Sequence, residues 1–138
     1  MALQRRRWPQ PGQVYVLATR HSGVVKVGHT TVCPHRRAAA LSRQPGYRGF
    51  APLTVAWAVA VPDCRRVERL AHRLLRRRRI RLHLGCREMF RVDVATACRA
   101  IETAAIAIRP KPPQWRRCWF ALARAAARLR RAFGRIRR

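Results

Sequence analysis

The stretch from Val24 to Leu41, "VVKVGHTTVCPHRRAAAL", decides how the chain is to be read. Its opening, Val24 to Gly28, is rich in β-branched residues and ends in glycine, as a strand running into a turn or bulge does. Pro34 has the fixed φ that suits a first helical turn, so a basic helix is expected from there to about Arg43. Inside the strand stands Lys26, in a chain whose other lysine is Lys111 and whose general-purpose cation is arginine. A compact ammonium used so sparingly points to a site that wants a point charge.

Working outward, "QVYVLA" (Gln13 to Ala18) is a β-branched and aromatic run, and "TRHSG" with Gly23 joins it to the lysine strand as a hairpin. Downstream, the loop "QPGYRGFAP" precedes "LTVAWAVAV", in which Leu53, Val55, Trp57, Val59 and Val61 alternate and are predicted to share one face. Asp63 is placed to cap a helix whose stripe is Val67, Leu70, Ala71, Leu74 and Leu75. "RRRRIR" falls at that helix's C-terminal end, where the helix dipole favours cations. "REMFRVD" reads as a short extended piece, and Asp93 as the cap of a helix running through Ile101, Ala105 and Ile108. The expected fold is α+β: a small, mainly antiparallel three-stranded sheet flanked by helices, with a basic amphipathic helix at the C-terminus.

The expected organisation is a basic arm over 1–11, a domain over 12–108, a proline-rich linker over 109–114 ("RPKPPQ") and the final helix over 115–138. In that helix Trp115, Trp119, Leu122, Ala126, Leu129, Phe133 and Ile136 form an apolar stripe, with Arg117, Arg124, Arg128 and Arg131 on the far side. Such a helix can dock on the domain, lie on an anionic membrane, or track phosphates.

Charge narrows the function class. The chain has 138 residues, 32 Lys and Arg against 5 Asp and Glu, and a net charge of +27. A surplus of that size repels itself and calls for a polyanion, with nucleic acid expected ahead of an anionic membrane surface. No stretch is long and apolar enough to read as a membrane span, and "MALQRRRWPQPG" has no apolar run behind its charges to make a secretory signal. Five cysteines, an odd number without framework spacing, fit a reducing, cytoplasmic setting. Cys33, His35, His83 and Cys86 have spacings that match no common zinc finger, which weighs against zinc.

The polar residues on these elements now carry a resemblance. "VYV" (Val14 to Val16), "VKVGHTT" (Val25 to Thr31), "PHRRAAALS" (Pro34 to Ser42), "VERLAHRLL" (Val67 to Leu75) and "REMFRVD" (Arg87 to Asp93) follow one another in an order that resembles the GIY-YIG nuclease superfamily. The closer likeness is to its small phage and bacterial branch, the meiotically up-regulated gene type, whose second motif reads K-[IV]-G. The resemblance spans roughly residues 12 to 108 and implies hydrolysis of phosphodiesters, DNA ahead of RNA, with one Mg²⁺ or Mn²⁺.

By that resemblance Tyr15 positions or deprotonates the attacking water, and Arg37 holds the scissile phosphate and its growing charge. Glu68 binds the metal through hard oxygen ligation. On the residues alone, Glu68 borders the apolar stripe with His72 one turn further on, and its rival role is an ion pair with Arg65 or Arg69. Lys26 stands where better-known members have tyrosine: it either contacts the phosphate, lowers the pKa of Tyr15, or is a solvated strand residue. Gly28 is expected to allow close backbone approach or a bulge at the strand end, and His29, Thr31, Arg36 and His72 to be phosphate neighbours. Glu88 matches the acid of this branch's last motif, to bind metal through water or pair with an arginine such as Arg37. The superfamily's late asparagine has no counterpart. Cys33 stands where this branch commonly has a capping aspartate.

Overall fold

The computed structural model describes residues 9–81 and 88–109, so the expected C-terminal helix, with Arg117, Arg124, Arg128 and Arg131, lies outside the described residues, as do His83, Cys86 and most of the N-terminal arm. Strand β1 (Gly12–Ala18) and strand β2 (Val25–Thr30) form the hairpin, and helix α1 covers Pro34–Ser42. Strand β3 (Thr54–Val61), helix α2 (Cys64–Leu74), the short strand β4 (Met89–Phe90) and helix α3 (Val94–Ile108) follow. The sheet has four antiparallel strands in the order β3-β1-β2-β4, one more than expected. The added strand pairs Phe90 with Val25 and Met89 with Lys26, and two residues are too few to show alternation in a sequence. Among the described residues no helix is long and apolar enough to cross a membrane.

The pleat sends alternate side chains to two layers. Val14, Val16, Val25, Val27 and Phe90 face α2 and α3, where Val67, Ala71, Ala97, Ile101 and Ala104 close the main core. Tyr15, Leu17 and Met89 face α1, with Ala38, Leu41, Tyr47 and Leu53.

The third strand departs from simple alternation. Val16 pairs with Trp57 but Leu17 with Val55, so the register slips and Ala56 is left over in a β-bulge. As a result Leu53 and Val55 pack in the α1 layer, whereas Trp57, Val59 and Val61 pack with α2 and α3. The single face predicted for these five residues is therefore split between two. In α2 the stripe holds at Val67 and Ala71, with Leu70 packed beside it, but Leu74 is 50 % exposed. The helix ends at Leu74, and Leu75 takes the buried place as the chain tightens into a 3₁₀ turn over Arg76–Arg78.

Both capping aspartates act as expected. Asp63 accepts from the Arg66 amide at 3.2 Å, and Asp93 from the Thr96 amide at 2.6 Å, each satisfying an orphan donor of its helix. Helix α1 has no such partner: Cys33 is its N-cap and makes no side-chain capping hydrogen bond. The amides of Arg36 and His35 nonetheless lower the pKa of the exposed thiol, so that end of the helix favours an anion. Cys33→Asp should therefore supply the missing acceptor and raise the thermal midpoint by about 3 to 6 °C, as read by circular dichroism. An unchanged midpoint would show that the cap position cannot be satisfied by a side chain.

Candidate active site

The strand pairing sets the site. Tyr15 lies opposite Gly28 and Leu17 opposite Lys26, so Tyr15 and Lys26 share the face that looks toward α1. The tyrosine ring lies across Gly28 so closely that a Cβ there would meet the hydroxyl at 2.6 Å and the adjoining ring carbon at 2.8 Å. The glycine of "VKVG" is thus explained by close approach of a side chain rather than by a turn. Its lack of a side chain is what lets the phenol reach its place.

Burial of the Tyr15 hydroxyl pushes its pKa up to about 12. The guanidinium of Arg37, reaching across from α1, counteracts this by hydrogen bond and charge, while the carboxylates of Glu88 and Glu68 push it higher. Arg37, Glu68 and Glu88 all lie within electrostatic reach of one phenol oxygen.

Lys26 is not a solvated strand residue. It is 1 % exposed, its ammonium forms an ion pair with Glu88, and it sits 6.0 Å from the centre of the Tyr15 ring and 5.4 Å from that of Tyr47. Two aromatic faces and a carboxylate are a strong setting for a buried cation. Burial raises the pKa of Glu88, but the charge and hydrogen bond of Lys26, with His72 and Tyr47 assisting, hold it below the ordinary carboxylate value. The cation acting on the Tyr15 hydroxyl is accordingly Arg37, and the partner of Glu88 is Lys26. Tyr47, whose hydroxyl donates to Glu88 at 3.4 Å, was missed by sequence reasoning. It sits in the "QPGYRGFAP" loop, where no periodicity marks a residue as inward-facing.

The other face of β2 carries His29, whose Nδ1 lies 2.7 Å from Glu68 Oε2. Glu68 is thus held by a histidine rather than by Arg65 or Arg69, and its side chain is only 14 % exposed. One turn along α2, His72 donates from Nε2 to the Val27 carbonyl at 2.9 Å and packs on the Phe90 ring. Burial lowers its pKa, and its hydrogen bond ties α2 to β2. Thr31 and Arg36 are exposed, just past β2 and on α1. Among the described residues no three His, Cys, Asp or Glu side chains are grouped to hold a metal.

The model of the T5orf172 domain family matches residues 12–105 of this chain, more than half of its length. No curated protein and no solved structure matches it.

Two outcomes follow from this geometry. Lys26→Met should leave the half-exposed Glu88 carboxylate without its cation and cost about 1 kcal/mol in urea unfolding, and adding Glu88→Gln should restore a good part of it. Equal stability of Lys26→Met and the unaltered protein would rule out the pair as a structural element. In a Tyr47→Phe background, ultraviolet titration should show Tyr15 ionising near pH 12 and, with Arg37→Gln, higher still. Because the folded pKa lies above the ordinary 10.0, this group's contribution to stability is complete below pH 10 and is lost as the pH rises through 12.

Proposed function

The chain belongs to the T5orf172 domain family, a family linked to nucleases, and on that premise we propose that it is a metal-dependent endonuclease of the GIY-YIG kind acting on DNA. The observation that carries the reading is the Tyr15 hydroxyl, seated against Gly28 with Arg37 beside it and Glu68 within reach of its charge. A phenol, a guanidinium and a carboxylate are the groups needed to orient a water, hold a phosphate and bind a hard cation. The surplus of cationic side chains supports a polyanionic substrate.

In this scheme Arg37 presents a permanently charged, planar fork to the scissile phosphate and to the negative charge that grows on it. Tyr15 keeps its proton at neutral pH, given a pKa of about 12, and therefore orients the attacking water through its hydroxyl. It becomes a base where further cationic charge lowers that value. Glu68, a lone carboxylate steadied by His29, fits Mg²⁺ or Mn²⁺, which take few protein ligands and complete their shell with water and phosphate oxygens. Bound there, such an ion supplies charge to the phosphate and to the leaving oxygen. Lys26 and Glu88 act one step back, fixing β2 against β4 and the Tyr47 loop, so that Tyr15 and Gly28 keep their contact.

A second reading has an observation of its own. The lysine of the second motif is tied to Glu88 and so is not free to meet a phosphate, as suits a nucleic-acid-binding protein that does not cut.

The test is incubation of supercoiled DNA with Mg²⁺, Mn²⁺ or EDTA. Cleavage should need the metal, and Glu68→Gln should lower its rate by about two orders of magnitude or more while DNA binding persists. Tyr15→Phe and Arg37→Lys should each slow it by about tenfold to a thousandfold. Binding without any metal-dependent nicking would select the non-cutting reading, and undiminished cleavage by Glu68→Gln would remove Glu68 as the metal ligand.

A further inference from the structure

We propose that Arg77, Arg78, Arg79, Arg81 and Arg91 form a second anion site, a cleft that grips the backbone phosphates of the nucleic-acid strand away from Tyr15. The proposal rests on the nucleic-acid reading above and assigns a separate surface to it.

The cleft has a volume of about 370 Å³ and is lined by these five arginines and Ile80. It is a built feature of the sheet edge and not a loose charge run. The Ile80 amide donates to the Met89 carbonyl at 2.9 Å, and the Arg91 amide to the Arg78 carbonyl at 2.8 Å, so the chain around Arg79 extends the sheet beyond β4. Ile80 packs into the α1 layer beneath, and the Arg79 guanidinium lies 5.6 Å from the centre of the Phe90 ring. Two walls of the cleft are thereby fixed by backbone pairing and ring contact.

Charge then dictates the ligand. Five arginines lining one opening repel each other, and no carboxylate among the described residues is paired with them. Asp63 and Asp93 cap helices, Glu68 holds His29, Glu88 holds Lys26, and Glu102 is on the exposed side of α3. Ion pairs among the described residues join Lys26 to Glu88, His29 to Glu68 and Arg66 to Asp63, and none reaches the cleft. An external anion with several oxygens satisfies these donors, and phosphate accepts the guanidinium fork with two oxygens at once. A run of phosphates fits a row of arginines better than a single anion does. Position agrees: Glu88, the partner of Lys26, immediately precedes β4, so one sheet edge leads from the candidate active site to the cleft.

The experiment measures binding of the full-length protein to a labelled DNA duplex in EDTA by fluorescence anisotropy across a salt series. Arg77→Gln/Arg78→Gln/Arg81→Gln is compared with Arg66→Gln/Arg99→Gln/Arg109→Gln, which removes the same charge from exposed positions elsewhere. The cleft triple should make the slope of log affinity against log salt shallower by about 3, and should lose about tenfold more affinity than the control. Arg81→Gln alone, which leaves the paired segment intact, should change the slope by about 1 if the triple proves unfolded by circular dichroism. Equal losses in the two triples would overturn the cleft while leaving metal-dependent cleavage, and so the nuclease reading, untouched. Loss of binding to phosphatidylglycerol vesicles with DNA binding retained would overturn it too. Failure of the unaltered protein to bind the duplex would remove both proposals together.

Discussion

Scarcity of anionic side chains governs this molecule. Five carboxylates serve 32 lysines and arginines, and four of the five have a defined place in the fold: two at helix N-termini, one on His29 and one on Lys26. Internal pairing therefore stabilises the framework, and the arginines among the described residues are exposed. A surface in that state carries a strong positive potential, which repels copies of itself and attracts polyanions over the range set by salt screening. Recognition by charge and stability by charge are thus divided between different residues.

The framework so stabilised places a phenol with care. β1 and β2 bring Tyr15 opposite Gly28, α1 brings Arg37 over the hydroxyl, and α2 approaches the other face of β2 with Glu68. The ion pair between buried Lys26 and half-exposed Glu88, with two tyrosine rings beside the ammonium, joins the hairpin to β4. An ion pair with one partner buried tolerates few alternative arrangements, because the buried ammonium must find its carboxylate, and register is what this site needs. The lysine that looks out of place in an arginine-rich chain is a buried cation, paired with Glu88 and 6.0 Å and 5.4 Å from the centres of two tyrosine rings.

What the sequence disclosed depended on the physical range of each signal. Helix caps and the hairpin are local, and Asp63, Asp93, Pro34 and the two strands of the hairpin were legible for that reason. The bulge at Ala56 was not, because alternation in a string of letters runs on unbroken where the pleat does not. Strand β4 was too short to declare itself as part of the sheet. In the candidate site, Tyr15, Lys26, Arg37, Glu68 and Glu88 were picked out by the motif resemblance, and the structure brings them around one hairpin. Who pairs with whom was hidden: the Lys26–Glu88 contact bridges 62 positions and His29–Glu68 bridges 39. Tyr47 lacked any pattern that distinguished it from loop, and the arginines of Arg77–Arg81 read only as cations at a helix end.

The leftover residue in β3 has a consequence for how the protein behaves among its neighbours. Among the described residues β3 is an outer strand of the sheet, long and apolar, with no further strand paired on its free side. A straight ribbon of that composition is a template on which a further strand from another molecule can add. The bulge at Ala56 interrupts the regular spacing of amides and carbonyls and twists the ribbon midway, so a visiting strand finds its register broken after a few residues. The irregularity that divides the apolar side chains between two layers also guards the rim against fibril-like growth.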